Sequence, residues 1–559
     1  MGASMKSKTW LILFLITILV VLGMLAALNA LVDPFGLFGD PVFDWYAYNI
    51  SRNQRMAKVA YLDRYHDRYD SYLLGTSVAG SIPVELLNQY TGARFYNLFG
   101  NGADMHRTRI LAEYIVEHYT VKNIVLVVSI TDAKSYEVDP AGRLSSYLPA
   151  RVDGSSAAAQ YARYLLADPK HALDKISYAQ QVTYLPKSFN AYYPERGERN
   201  RTWQDFEPIG GKTAYKKKHS DFSKKRPSAP VLEHLDDCVG EVAAIASLCR
   251  ENDINLLVVF PPNYTASLRA TPTKERATFL RKLAGVTDYW DFSHSSLSGD
   301  PRYFYDVGHF RGPLVNVMLA RIFGDNSLYI PDDFGVLVTA DNAKAHTKRL
   351  DELLVRGDYE TKLHVLSFAL PADGDMSDFE AKIAALRAVG CQSVTFAQVA
   401  AYVTRGAPLP ENPVVITFAG GYLEAGSPAF GILEHYGMEA STFITGDGLG
   451  DGLSAGLGAA AEDGDEMAYI EAFRSDFARL RDAWAQATGD TEPVYAYPPR
   501  GVSLRQEVLL SEMGVRITLV PSEALSRTTV VWSLPQSLLQ LPYFTVGADM
   551  DDGWMEGLP

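Results

Sequence analysis

The stretch "NPVVITFAGGYLEAGSPAFGILEHYGMEASTFITG", Asn412 to Gly446, decides how the second half of the chain folds. "PVVITF" is an unbroken apolar run that stops at a double glycine, as a buried strand does where it meets a loop. "AFGILEHYG" then reads as a helix and "STFIT" as the next strand. The same alternation extends outward through "LHVLSFAL", "DFEAKIAALRAVGCQSVTFAQVAAYVTRG", "VYAYPP" and "EVLLSEMGVRITLV". Strands alternating with helices predict an α/β unit built on a parallel sheet. "DGLGDGLSAGLGAAAEDGDE", Asp447 to Glu466, is rich in Gly, Ala and Asp and reads as a loop.

A second α/β pattern lies upstream, from about residue 70: "SYLLGTS", "PVELLNQYTG", "RFYNLFG", "MHRTRILAEYIVEHY", "NIVLVVSITD", then "INLLVVFPP" and "TDYWDFS". An insertion, Tyr136 to Pro230, interrupts it with a polar, aromatic and basic stretch. The junction Pro331 to Glu360 is charged and helix-like, which predicts a structured linker. At 559 residues the chain exceeds one core and calls for two or three domains. Its net charge of −14 argues against a nucleic acid as the main partner, which needs a basic footprint.

The three cysteines, Cys238, Cys249 and Cys391, have no metal-ligand spacing. Cys238 and Cys249 share one predicted helix and stand roughly 16 Å apart along it, beyond disulfide reach. Residues 9–32 contain no charge and are long enough to cross a bilayer, with Lys6 and Lys8 before them. They read as an uncleaved signal anchor after a cytoplasmic tail at 1–8, placing the rest of the chain outside the cytoplasm. A cleaved signal peptide is the competing reading, and the length of the apolar run argues against it.

In "YDSYLLGTSVAGSIP", Ser77 falls where a strand breaks at Gly75 and turns toward a helix, a position exposed at the carboxyl end of a sheet. A helix-capping serine is the simpler reading of that block alone. In "PRYFYDVGHFRGPLVNVMLARIF", Asp306 precedes His309 by three residues, close enough for the carboxylate to fix the imidazole tautomer and free the other nitrogen to take a serine proton. Together these blocks resemble the SGNH hydrolase family, and in particular its membrane-anchored branch, which includes the D-alanyl transfer protein of teichoic-acid synthesis and the alginate O-acetylation proteins. The shared order is anchor, "LLGTS", "FYNLFGNGAD", "LLVVFPPNY" and "FYDVGHF", within residues 45–356. The resemblance implies a three-layer parallel-sheet domain with Ser77 as nucleophile, His309 as base and then acid, and Asp306 as the orienting carboxylate. It also implies oxyanion donors at the Ser77 and Gly102 N–H groups and a partner membrane-bound O-acyltransferase. The family's asparagine block is missing, because Ile130-Thr131-Asp132 stands there. Asn101 is the candidate replacement.

The segment from about Leu363 to Tyr543 resembles NodB-type polysaccharide deacetylases through "LPENPVVITF", "GILEHYGMEASTFIT" and "VYAYPPRGVS". The resemblance implies a distorted (β/α) barrel over residues 361–559, with a groove at the strand ends lined by Tyr422, Tyr497 and Arg500. The family's strand ends in two aspartates, one a base and one a metal ligand, and Ala419 and Gly420 occupy those positions. The family's paired histidines are missing too, since His435 is the last of the eleven histidines. The expectation is therefore no metal, no other cofactor and no deacetylation in this domain.

The favoured function is a membrane-anchored, extracytoplasmic serine acyltransferase or esterase acting on a cell-surface polysaccharide or teichoic-acid-like polymer, with the second domain either holding glycan or serving only as a structural relic. In the insertion, Tyr192, Tyr193 and Trp203 are candidates to stack on sugars. Lys216, Lys217, Lys218, Lys224, Lys225 and Arg226 are candidates to attract an anionic polymer, against the plainer reading of a solvated charge run. The alternative function is a non-catalytic envelope assembly protein; an active deacetylase is the third.

Overall fold

The computed structural model describes residues 7–43, 49–134, 143–181, 185, 187–188, 190–224, 232–350, 359–371, 374–423, 426–445, 466–498, 502–548 and 550–558. The chain divides into two compact units. One comprises Met1–Arg201, Lys224–Gly324 and Asp332–Arg356; the other comprises Thr202–Ser223, Asp325–Pro331 and Gly357–Pro559.

The first unit begins with helix α1, Ser7–Val32, the one described helix long and apolar enough to cross a membrane. Its Thr9–Val32 span is 24 residues, about 36 Å at 1.5 Å per residue against a hydrocarbon core of about 30 Å. The last turn is tied into the unit. Buried Asn29 donates its amide to the carbonyls of Leu165 at 3.0 Å and Ala167 at 2.9 Å, and Lys175 donates to the Asp33 carbonyl at 2.8 Å.

Six strands form the sheet of this unit: β1 Ser71–Gly75, β2 Phe95–Asn97, β3 Asn123–Val127, β4 Asn255–Phe260, β5 Tyr289–Asp291 and β6 Val336–Val338. Their order is β6-β5-β4-β3-β1-β2, and every neighbouring pair is parallel except β5 with β6. Tyr72, Leu74, Ile124, Leu126, Val258 and Phe260 join one hydrophobic cluster, while the alternate residues Leu73, Val125, Val127 and Val259 are also buried. Both faces are therefore covered, which explains the uninterrupted apolar runs of these strands. Helix α2, Gln54–Tyr65, contributes Val59 and Leu62 to that cluster. Helix α3, Met105–His118, is capped by Asp104, whose carboxylate accepts the Arg107 N–H at 2.9 Å. The chain runs from β1 outward to β2, then returns to β3 on the other flank of β1, so the strand order reverses between β1 and β3. Ligand sites favour such reversals, outside the carboxyl ends of the strands.

The second unit holds β7 Glu360–Phe368, β8 Gln392–Ser393, β9 Pro413–Phe418, β10 Ile444–Thr445, β11 Val494–Ala496, β12 Ile517–Ser522, β13 Thr528–Val531 and β14 Leu541–Val546. The order β8-β9-β7-β14-β12-β11-β10 is parallel throughout, with β13 antiparallel to the start of β7. The sheet curls until the lead-in to β10 meets β9. Ile416 bridges Ala440, the Ser441 N–H donates to the Ile416 carbonyl at 2.8 Å, and the Phe443 N–H donates to the Gly421 carbonyl at 2.7 Å.

Two segments that the sequence reading placed within 45–356 pack with the second unit instead. The Ile209 N–H donates to the Gln536 carbonyl at 3.2 Å, and the Tyr329 N–H donates to the Arg405 carbonyl at 2.9 Å, with the Tyr329 ring edge-on to Trp532. The insertion is thus split between units, and Trp203, Lys216, Lys217 and Lys218 belong with the curled sheet.

Candidate active site

The site is built from two loops brought together from opposite ends of the first unit's sequence. β1 ends at Gly75, whose φ of +148° and whose contact with the Val127 carbonyl, 2.8 Å from where a Cβ would stand, leave no room for a side chain. The chain then turns sharply, with the Ala79 N–H on the Thr76 carbonyl at 3.0 Å, and half-buried Ser77 sits on that turn. Opposite it, Phe304–Asp306 and His309–Phe310 form a small antiparallel hairpin in which Asp306 pairs with His309. The Asp306 carboxylate accepts the Gly308 N–H at 2.8 Å.

Across 232 positions of sequence, His309 Nε2 lies 3.0 Å from Ser77 Oγ. His309 Nδ1 lies 2.8 Å and 3.0 Å from the two Asp306 oxygens. An ionised carboxylate only accepts, so Nδ1 carries the proton and Nε2 is left to accept the serine hydroxyl. Burial alone would raise the Asp306 carboxyl. The His309 hydrogen bond and charge, the Gly308 N–H and Arg201 outweigh burial and hold it at about 2. Burial lowers the His309 pKa below its ordinary value, and Arg199 and Arg201 add to this, while the Asp306 bond and charge pull the other way. A neutral imidazole between an ionised carboxylate and a hydroxyl is the arrangement that general-base attack requires.

The loop after β2 flanks this site. The Gly100 N–H donates to the Gly75 carbonyl at 3.0 Å, and the Ala103 N–H closes a turn on the Gly100 carbonyl at 3.1 Å, with Gly102 at φ +58°. The N–H groups of Ser77 and Gly102 have no acceptor among the described residues. The Asn101 side chain is engaged: its carbonyl accepts from Arg199, and its amide donates to Asn190 Oδ1 at 3.3 Å. Beside Asn101 opens a cavity of about 510 Å³ lined by Arg52, Gln54, Arg55, Arg143, His171 and Asn190 among others.

After β3, where the asparagine block is missing, Asp132 is 2% exposed and turned inward. Its carboxylate accepts the Ser129 N–H at 2.7 Å and the Ser129 hydroxyl at 3.1 Å. Burial pushes the Asp132 carboxyl up to about 7.

In the second unit, Ala419 and Gly420 are exposed at the end of β9, where the Ala419 N–H donates to the Phe368 carbonyl at 2.9 Å. Among the described residues, no three His, Cys, Asp or Glu side chains gather to hold a metal ion. Residues 446–465 and Arg500 lie outside the described residues. Tyr422 is half-buried. Tyr497 is 3% exposed and faces the buried Glu507, so it belongs to the interior of the sheet and not to a groove. Tyr192 is likewise buried, pairing in a two-residue strand with Asn49–Ile50, and is not available to stack on a sugar. Tyr193 remains half-buried under the Arg196 guanidinium, while Lys225 and Arg226 fall outside the described residues.

Four cations near the serine were not singled out in the sequence. Arg199 and Arg201 come from the insertion; Arg55 and Lys58 come from the buried first turns of α2. A weak signal existed for the last pair, two cations three residues apart in the otherwise apolar "RMAKVAYL".

These two units define the class: an α/β chain with an N-terminal apolar helix, a parallel sheet carrying a Ser-His-Asp constellation, and a second, curled parallel sheet. No family model matches the chain, and no curated protein matches it in sequence. Among solved structures it is similar to IcaB from Ammonifex degensii, at 18% identity over 34% of this chain and 94% of that one, with a TM-score of 0.24. It is also similar to a de-N-acetylase from Aggregatibacter actinomycetemcomitans, at 12% identity over 35% and 99%, with a TM-score of 0.27. A third likeness is to the BpsB deacetylase domain from Bordetella bronchiseptica, at 15% identity over 34% and 100%, with a TM-score of 0.26.

Proposed function

We propose that this protein is a serine acyltransferase or esterase that acts outside the cytoplasmic membrane on O-acyl groups of a cell-surface glycopolymer. The observation that carries the reading is the pair of contacts through one imidazole: Nε2 on Ser77 Oγ at 3.0 Å and Nδ1 on Asp306 at 2.8 Å. In the first step Ser77 Oγ attacks an acyl carbonyl and its proton passes to His309 Nε2. The oxyanion of the tetrahedral intermediate is met by the Ser77 and Gly102 N–H groups. On collapse, the leaving alkoxide takes the proton from His309, and an acyl-Ser77 ester remains. Water or a sugar hydroxyl, deprotonated by the same imidazole, then takes the acyl group. The anionic Asp306 stabilises the imidazolium formed in both half-reactions.

The tie between α1 and the first unit through Asn29 supports an anchor that stays attached. An acyl donor delivered by a membrane-bound O-acyltransferase fits that placement. The second unit is assigned a glycan-holding role without deacetylation, because Ala419 has no proton acceptor and Gly420 no ligand to offer.

The test is hydrolysis of a chromogenic acetyl ester by the full chain in detergent. Turnover by the wild type that falls to background in both Ser77→Ala and His309→Ala supports the reading; turnover that survives both substitutions contradicts it. A chitooligosaccharide should stay acetylated in the same samples.

A further inference from the structure

The loop that supplies Gly102 is held from beneath by cations of α2. Arg55 Nη2 donates to the Asn101 carbonyl at 2.7 Å, Arg55 Nη1 donates to the Ser145 carbonyl at 3.3 Å, and Lys58 Nζ donates to the Phe99 carbonyl at 3.0 Å from above the Phe99 ring. Both side chains are buried, at 3% and 0% exposure, and neither is paired with a carboxylate among the described residues. Burying a guanidinium and a lysine amine against neutral carbonyls is costly, and burial with the neighbouring Arg199 and Arg55 drives the Lys58 pKa well below its ordinary value, so their placement calls for a purpose beyond stability.

The geometry supplies one. Asn101 and Gly102 are the two central residues of the turn closed by the Ala103 N–H on the Gly100 carbonyl, and Gly102 has the left-handed φ that a type II turn requires at its third position. The peptide plane joining them has two orientations, which distinguish type II from type I turns, and glycine at 102 is free to adopt either. In a trans peptide the C=O and N–H point in opposite directions. Fixing the Asn101 carbonyl on the α2 side therefore aims the Gly102 N–H away from α2. Gly100 makes room for this contact, since a Cβ there would stand 2.6 Å from Arg55 Nε.

We infer that Arg55 is a positioning residue for the oxyanion hole: by holding the Asn101 carbonyl it locks the 101–102 peptide with its N–H toward the acyl carbonyl attacked by Ser77. The inference rests on the proposed acyl chemistry at Ser77. Arg55 acts through the peptide and does not touch the substrate. Burial brings its pKa down to about 10, which leaves it charged at neutral pH and able to polarise the peptide it holds. Lys58 holds the preceding carbonyl of the same loop and has the lesser part, since the Phe99 carbonyl is not in the peptide that carries the Gly102 N–H.

The test compares Arg55→Met, Arg55→Lys and Gly100→Ala in the full chain, each checked for folding by its melting curve. Loss of one oxyanion donor predicts a fall in kcat of about 100-fold with KM unchanged. The affinity of a trifluoromethyl ketone, which forms a tetrahedral oxyanion on Ser77, should fall by a similar factor. Arg55→Lys should recover part of the loss. Gly100→Ala retains Arg55 but displaces its guanidinium, and should reproduce the loss if Arg55→Met does not fold. A rise in KM at constant kcat would mean that Arg55 binds substrate from the adjoining cavity, and would overturn the inference. So would folded Arg55→Met or Gly100→Ala protein with wild-type kcat and ketone affinity. If the wild type shows no Ser77-dependent turnover, the underlying chemistry fails first and this inference falls with it; the wild-type and Ser77→Ala controls separate the two failures.

Discussion

In the proposed reaction His309 is the base, and its environment makes a sign-specific prediction. Burial lowers its pKa below the ordinary histidine value of about 6.5. The base form is the active one, so kcat/KM should be on its plateau at pH 7 and fall only as pH drops through the lowered value. Asp306, held at about 2, stays ionised across that range. A pH profile with its acid midpoint at or above 6.5 contradicts this account. Asp306→Asn keeps the shape but offers Nδ1 a donor in place of an acceptor, and should lower kcat on the order of 10⁴-fold. Ser77, Asp306 and His309 were legible in the sequence because a nucleophile turn and an Asp-x-x-His block have local signatures. Arg55 and Lys58 left only the weak signal of two basic residues in an apolar stretch, and Arg199 left none, because its contact with the Asn101 side chain 98 positions away has no local pattern. Tyr497 was misplaced for a related reason: which face of a strand end points inward is set by the curl of the sheet, not by local spacing.

At the scale of elements, most parallel strands were readable as apolar runs, since they are buried on both faces, whereas β6, inside the stretch read as a charged linker, and β13 and β14 were not picked out. The division of the insertion was not legible, because residues 202–223 have no periodicity that says which core they join. Gly75→Ala would place a Cβ 2.8 Å from the Val127 carbonyl at a φ of +148°, and should destabilise the first unit by about 1–3 kcal/mol, read as a lowered melting temperature. In the second unit, burial raises the Glu507 carboxyl to about 7 from 4.5, against the hydrogen bond it accepts from the Thr518 hydroxyl at 3.0 Å. The folded state therefore holds this proton more tightly than the unfolded chain. The resulting stability is fully present below about pH 4.5 and is lost as pH rises through about 7, at most about 3 kcal/mol for this group. Glu507→Gln should flatten that dependence in the exchange rates of the β11 and β12 amides; an unchanged slope would show that Glu507 is not its source.

The whole molecule carries an apolar N-terminal helix, a Ser-His-Asp constellation and a curled-sheet unit in one chain. The sequence pointed to each of the three separately, through an uncharged run, two short blocks and an alternating pattern. It did not show that the end of the apolar helix is fastened by Asn29 to the carbonyls of Leu165 and Ala167, a contact that joins residues more than a hundred positions apart. The proposed anchor role of Thr9–Val32 predicts a protein that resists alkaline extraction from membranes with its N-terminal peptides intact; recovery in the soluble fraction with a new N-terminus near residue 33 would contradict it. The most direct measurement is covalent labelling of the full chain with a fluorophosphonate, followed by peptide mapping. The account predicts one adduct, on Ser77, formed at neutral pH and lost in His309→Ala. An unlabelled Ser77 in folded protein, or an adduct on another residue only, would contradict it.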